Sequence, residues 1–214
     1  MTTYNHSLSQ YITDLFAQHD KPLQVAWEET PKKGLPSISV KPEEGRFLQF
    51  LVKASGTTKA LELGTLGGYS GIWIARGLSE GGKLITVEVD PRHAEVARQH
   101  FSNAGLFDQV EVRVGDAQLI LPELVSDGPF DFIFIDADKP GYPDYYEWAV
   151  ENTRIGGLIA AHNAFRGGKV LASQYSDELV EIMRVFNQRV AADPRVLSTV
   201  YPAGDGTIIA VRIS

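Results

Sequence analysis

The chain of 214 residues contains no cysteine. Disulfides, thiolate metal sites and cysteine nucleophiles are therefore excluded. No apolar run approaches the roughly 18 residues that a membrane helix requires. The opening stretch MTTYNHSLSQYITDLF has no basic region followed by an apolar one, so no signal peptide is predicted. Positive charge is scarce: 20 Lys and Arg face 27 Asp and Glu, a net charge of −7. Such a chain is a poor non-specific partner for nucleic acid or an anionic membrane. No internal repeat and no low-complexity linker interrupts it. The length suits one well-buried domain. The expectation is a single cytoplasmic domain over residues 1–214, without a membrane or nucleic-acid partner.

What is present is an alternation of two kinds of segment. Short β-rich apolar runs lie at 59–64 (KALELG), 83–89 (KLITVEV), 110–115 (VEVRVG), 130–136 (FDFIFID) and 156–161 (GGLIAA). Between them stand helical patterns at 70–78, 91–105, 142–153 and 176–193. The second has Asp90 as N-cap, Pro91 in the first helical position and Gly105 at its end. Strands alternating with helices predict a doubly wound α/β sheet that is mostly parallel. The runs are apolar throughout, which fits strands covered on both faces. The end differs: LSTVYPAGDGTIIAVRI reads as two strands joined by PAGDG, an antiparallel hairpin. Residues 1–56 add helices, including amphipathic TYNHSLSQYITDLFAQ and KPEEGRFLQFLVKAS with Pro42 early in the helix. They form an N-terminal helical layer over the sheet of residues 57–214.

Ligands of open parallel sheets bind beyond the carboxyl ends of the strands. The first strand ends in ELGTLGGYSG, residues 62–71, whose four glycines allow a sharp turn and a close approach of backbone to a ligand. This is not the G-x-G-x-x-G dinucleotide pattern, because Leu66 stands two residues after Gly64. Glu62, just before the loop, would repel a pyrophosphate and attract a cation or amino group. Glu88 ends the second strand at about the 20-residue spacing where an acid meets ribose hydroxyls. Gly115, Asp116 and Ala117 follow the third strand, placed to frame an adenine, and Asp136 follows the fourth. Some of these carboxylates read equally as helix caps. Four of them at consecutive strand ends, with one glycine loop, point to a cationic ligand that carries a ribose. S-adenosylmethionine has an amino group, a sulfonium, a ribose and an adenine, and no phosphate.

The segments ALELGTLGGYSGIWIARGL, VEVDPRHAEVAR, VGDAQLILPEL, FDFIFIDADKPGYPDYYEWA, GGKV, FNQRVAADPRV and PAGDGTIIAVR, in this order, resemble the caffeoyl-CoA and catechol O-methyltransferase family. The resemblance runs from about residue 37 to the C-terminus. It implies a class I methyltransferase fold, Rossmann-like, with seven strands and the last antiparallel. It also implies a homodimer in which residues 1–56 contribute to the acceptor site. For the cofactor it implies that Val40 touches the methionine end and that Glu62, Gly64, Thr65 and Ser70 line the glycine loop. Glu88 would hold the ribose, Ala117 would contact the adenine, and Asp136 would lie near the methionine portion. The acceptor would be a small aromatic hydroxyl compound, catechol- or phenol-like.

A phenol ionises near pH 10, so at neutral pH its oxygen needs a base or a metal to become a nucleophile (about 10). The resemblance implies a divalent metal held by the first Asp of DADK and by an Asp-Asn pair after the next strand, with the Lys of DADK as base. Asp136, Lys139 and Asn163 match those positions. His162 does not, since it stands where the pattern has Asp. As a ligand beside Asp136 and Asn163 it would favour Mn²⁺, Fe²⁺, Co²⁺ or Zn²⁺ over Mg²⁺. Without a metal, its unperturbed pKa near 6.5 would suit a general base (roughly 6.5). A third reading is a histidine satisfied at a strand end. Arg166 is a second departure, standing before GGKV where the pattern has an aromatic. It reads as a surface residue, or as a contact for an acceptor carrying carboxylate or phosphate. Tyr142 falls where the pattern places the substrate wall, and Tyr145, Tyr146 and Trp148 read as helix packing.

Three other functions remain open on the sequence: a nicotinamide oxidoreductase on a similar sheet, a methyltransferase acting on tRNA or another non-phenolic acceptor, and a binding protein that keeps the cofactor pocket without the reaction. The missing dinucleotide pattern weighs against the first and the acidic balance against the second.

Overall fold

Strands that are apolar on both faces need a helical cover on both sides, and that requirement organises the computed structural model, which describes residues 4–172 and 177–214. Among the described residues the chain runs α1 (His6–Phe16), α2 (Lys21–Lys32), α3 (Pro42–Ala54), β1 (Lys59–Leu63), α4 (Tyr69–Gly77), β2 (Lys83–Glu88), α5 (Pro91–Asn103), β3 (Val110–Val114), α6 (Ala117–Ile120), β4 (Phe130–Ile135), α7 (Tyr142–Asn152), β5 (Thr153–His162), α8 (Glu178–Ala192), β6 (Val196–Tyr201) and β7 (Thr207–Arg212). The strands form one seven-stranded sheet in the order β3-β2-β1-β4-β5-β7-β6. The first five strands pair in parallel, and β7 runs antiparallel to both β5 and β6. Doubly wound α/β topology with an antiparallel last strand is thus present as expected.

Alternate residues of each central strand feed two different cores. Leu61, Leu63, Val87, Ile133 and Ile135 pack on one side with Tyr142, Tyr145 and Tyr146 of α7 and Met183 and Phe186 of α8. Ala60, Leu84, Phe132, Phe134 and Ala160 pack on the other with Leu48 and Val52 of α3, Ile72 and Trp73 of α4 and Phe101 of α5. The strand order reverses between β1 and β4, and their carboxyl ends touch backbone to backbone. Gly64 has a φ of +95°, and a Cβ there would lie 2.2 Å from the Asp136 carbonyl oxygen. Only glycine fits this position. A crevice at such a reversal is where open sheets bind ligands.

Element ends differ from the sequence reading by a few residues. Asp90 caps α5 by accepting from the Arg92 amide, and Gly105 follows with a φ of +71°. β5 is longer than expected, beginning at Thr153 and passing through Gly156 and Gly157. Helix α2 was not expected, because Pro22 and Pro31 break the sequence pattern. The first turn of a helix has no intrahelical use for the N–H that proline lacks, so Pro22 is tolerated there while Asp20 caps Leu23. The expected amphipathic helix at the N-terminus exists as α1, yet it buries none of its side chains. Ser176, where the last helix was expected to start, and Thr3 lie outside the described residues.

The amino ends of the central strands are tied by one carboxylate. Asp131 accepts from the amides of Thr58 (2.7 Å) and Lys59 (2.9 Å), from the Thr58 hydroxyl (2.9 Å) and from Arg154 Nε (2.6 Å). Burial pushes its pKa up, but these donors overcome that and hold it down to about 2. The link between β1 and β4 is therefore complete above the ordinary aspartate pKa of about 3.9 and is lost as pH falls toward 2. Asp131→Ala is expected to cost roughly 2–3 kcal/mol in urea denaturation at pH 7. The difference from the parent chain should shrink as pH is lowered below 4. An equal difference at pH 7 and pH 3 would show that the carboxylate charge is not the source.

Candidate active site

The carboxyl ends of β1, β2, β3 and β4 and the segment after β5 surround a cleft of about 940 Å³. It is walled by Gly64, Thr65 and Ser70 from the glycine loop, Glu88 from β2, Ala117 from α6, Asp136 and Lys139 after β4, and Asn163 and Arg166 after β5. The N-terminal layer closes one side with Ile38, Ser39 and Val40. Residues from Gly64 to Arg166 thus converge because parallel strands all deliver their carboxyl ends to the same edge.

The glycine loop rests on two carboxylates with different environments. Glu88 accepts from the amides of Thr65 (3.2 Å), Leu66 (2.7 Å) and Asp90 (3.0 Å). The bond to Leu66 holds a non-glycine residue at a φ of +48°, where a side chain crowds its own carbonyl. Glu62 is not at the lip of the cleft where the sequence placed it. It is wholly buried beneath the loop and accepts from the hydroxyls of Ser70 (2.6 Å) and Thr86 (2.7 Å). Burial raises its pKa to about 7. Its effect on any ligand is exerted through Ser70, whose hydroxyl it orients.

After β4 the chain makes a tight turn that carries Lys139 into the interior. Its Nζ donates to Tyr142 Oη (2.5 Å), the Ala137 carbonyl (3.1 Å) and Asp136 Oδ1 (3.3 Å). Tyr142 in turn donates to the carbonyls of Ile135 and His162, each at 3.1 Å. Tyr142 therefore fixes Lys139 against the ends of β4 and β5. Burial lowers the Lys139 pKa, Asp136 opposes that, and the Arg166 charge adds to the lowering.

His162 ends β5 with both ring nitrogens engaged. Nδ1 lies 3.2 Å from Asp136 Oδ2 and Nε2 lies 2.9 Å from Glu44 Oε1. Glu44, at the start of α3, also accepts from the Lys41 amide at 2.8 Å. A neutral imidazole has only one N–H, so two carboxylates require the doubly protonated ring. Burial works against that charge, yet the two carboxylates raise the His162 pKa to about 10. Asp136 is held below the ordinary range by His162 and Lys139, against the effect of burial.

This arrangement alters both expected roles of His162. A metal ligand needs a free imidazole lone pair, and a general base needs an unprotonated nitrogen facing the acceptor. His162 offers neither, since it is protonated, 5% exposed and turned toward Glu44 rather than into the cleft. Asn163 stands in the cleft at a φ of +62°, with its amide nitrogen on Asp205 Oδ2 at 2.9 Å. Asp136, His162 and Asn163 as arranged do not fit the implied divalent metal. No group of three His, Asp or Glu side chains suited to one occurs among the described residues.

Sequence reasoning missed Glu44 because α3 lies nearly 120 positions from β5, and the only local signal was its place as a capping glutamate three residues after Lys41. It missed Asp205, which fastens the segment after β5 by accepting from Asn163 and from the Gly167 amide at 2.5 Å. Trp148, read as packing, does pack against the first core.

The O-methyltransferase family pattern matches residues 14–213. The catechol O-methyltransferase of Niastella koreensis is 46% identical over 196 residues, which cover 91% of this chain and 89% of that protein. The catechol O-methyltransferase of Mycobacterium tuberculosis is 40% identical, covering 94% of this chain and 93% of that one. Among solved structures, the O-methyltransferase from Bacillus cereus in complex with SAH superposes with a TM-score of 0.87 at 43% identity, covering 96% of this chain and 97% of that one.

His162→Asp would place three carboxylates together with no cation between them. Removing one partner of a buried ion pair costs about 3–5 kcal/mol. At about 2–4 °C per kcal/mol for a chain of this size, the melting temperature should fall by some 6–20 °C. Millimolar Mn²⁺ or Mg²⁺ should restore much of that loss in the variant and leave the parent chain unmoved. A parent chain whose melting temperature climbs with Mn²⁺ would show that a metal displaces the histidine bridge.

Proposed function

The chain belongs to the O-methyltransferase family, and from that premise we propose that it moves the methyl group of S-adenosylmethionine to a hydroxyl of a small aromatic acceptor. The similar proteins named catechol O-methyltransferase support the acceptor class, and the Bacillus cereus complex with SAH supports the co-substrate. In this reading the cofactor lies across the carboxyl ends of β1, β2 and β3. Glu88 takes a ribose hydroxyl with the lone pair its three amides leave free on Oε1, and Ala117 lies against the adenine. Gly64, Thr65 and Ser70 receive the methionine portion, with Val40 and Asp136 on its far side. Glu62 acts from beneath, through Ser70.

The observation that carries the proposal is a buried lysine, Lys139, at the wall of the cleft beside Asp136. Burial lowers its pKa, so the neutral amine forms more readily than on an exposed lysine. In that form Nζ takes the proton of the acceptor hydroxyl. The phenolate oxygen then attacks the methyl carbon from the side opposite sulfur. The O–C bond forms as the C–S bond breaks, and the products are the aryl methyl ether, S-adenosylhomocysteine and a protonated Lys139. Asp136 stabilises the resulting ammonium. No step is assigned to a divalent metal, because the side chains implied for it are spent on one another. The charge that would face Asp136 is supplied by His162.

The N-terminal layer supplies the wall at Ile38, Ser39 and Val40, which supports a reading in which residues 1–56 share in the acceptor site. Tyr11, Leu15 and Phe16 of α1 are more than half exposed, and they are the surface on which a homodimer would form. No helix among the described residues is long and apolar enough to cross a membrane.

With catechol as acceptor, the rate should rise as pH rises through a pKa below the ordinary lysine value, because deprotonation creates the base. Lys139→Met should lower turnover by about 10²-fold or more and flatten that rise, with SAH affinity by calorimetry unchanged. EDTA should leave the parent rate intact. An unchanged rate in Lys139→Met would remove the lysine from the mechanism, and a rate abolished by EDTA would restore the metal.

A further inference from the structure

Two cations face the acceptor end of the cleft, and they differ in what surrounds them. Lys139 has three hydrogen-bond acceptors. Arg166 has neither an ion pair nor a hydrogen bond from its guanidinium among the described residues. Its Nε is sealed from solvent and has no acceptor. The side chain lines the cleft, and its charge reaches the reacting end: it lowers the pKa of Lys139 and opposes the upward shift at Tyr142. Asp205, which bonds the amide of the next residue, Gly167, is already spent on it and on Asn163.

The backbone presents this side chain at a cost. Arg166 has a φ of +49°, a conformation that residues other than glycine avoid. It is held there from both sides, by the Phe165 amide on the Asp205 carbonyl (2.9 Å) and the Lys169 amide on the Arg166 carbonyl (3.2 Å). Backbone strain and an unanswered donor coincide at one residue, and that residue lines the ligand cleft. Such coincidence marks positions where a ligand completes the structure.

We propose that Arg166 is the anion-binding element of the acceptor site, and that the preferred acceptor is an aromatic diol bearing a carboxylate. The inference rests on the methyl-transfer reading of the same cleft and adds the charge of the substrate to it. A guanidinium matches a carboxylate in a planar, two-pronged hydrogen bond. A phosphate fits less well, because Glu88, Asp116, Asp136 and Asp138 line the same cleft and a second negative charge would meet them. One hydroxyl of the diol faces Lys139 while the carboxylate faces Arg166.

The test compares 3,4-dihydroxybenzoate, neutral catechol and cationic dopamine. Two readouts are used: binding to the SAH-saturated parent chain by calorimetry, and kcat/KM with S-adenosylmethionine. The parent chain should favour 3,4-dihydroxybenzoate over catechol by at least ~10-fold in both, with dopamine poorest. Arg166→Met should erase that ratio, and Arg166→Lys, which keeps the charge without the fork, should fall between. Melting temperatures of both variants report whether they fold. A parent chain that binds the three ligands alike, or an Arg166→Met variant that keeps the ratio, overturns the inference and leaves the methyl-transfer reading standing. Preferential binding of the carboxylate with no methylation of any acceptor has the opposite meaning: the anion site stands and the reaction falls.

Discussion

The site is held together by a protonated histidine between two carboxylates. Glu44 belongs to the N-terminal helices, Asp136 to the turn after β4 and His162 to the end of β5. These are the three bodies whose relative position defines the acceptor end of the cleft. The bridge is nearly dry, with Glu44 3% and His162 5% exposed, so breaking it would leave charges without water or partner. Gly204, at a φ of +58°, lets the β6–β7 turn close on the same Glu44, since a Cβ there would collide with its carboxylate at 2.2 Å. The helical layer, the parallel strands and the antiparallel hairpin all meet at this one charge arrangement.

The bridge also gives His162 a structural role at the position where the resemblance implied an aspartate. Beside Asp136 the histidine cation replaces a like-charge repulsion with an attraction. Glu44 compensates on the far side of the ring, and the ensemble of Glu44, His162, Asp136 and Lys139 has two positive and two negative groups. Local neutrality is kept by side chains alone. Tyr142 adds the geometric restraint by bonding Lys139, Ile135 and His162 at once.

The fold was legible in the sequence because its signals are periodic and local. Apolar strand runs, the cap at Asp90 and the PAGDG turn each state their own structure within a few residues. Helix α2 was illegible because its two prolines obscure the periodic pattern, although one of them sits where a helix tolerates it. The cleft was legible to the extent that parallel strands deliver their ends to one edge: Glu88 and Asp136 could be placed there from position, and Lys139 only through the resemblance. Orientation was not legible. Nothing in ELGTLGG says that Glu62 turns down onto Ser70 and Thr86 instead of up toward a ligand. Nothing near AAHNAF says that its histidine finds a glutamate 118 residues earlier. Such pairings are properties of packing, and a strand end carries no record of what packs on it.

Glu88 accepts from the amides of Thr65, Leu66 and Asp90. The glycine loop is therefore fastened by the chain's own carboxylate. Conformational entropy that a floppy glycine loop would surrender on every turnover has been surrendered once. A loop fastened this way has less freedom left to lose when a ligand arrives.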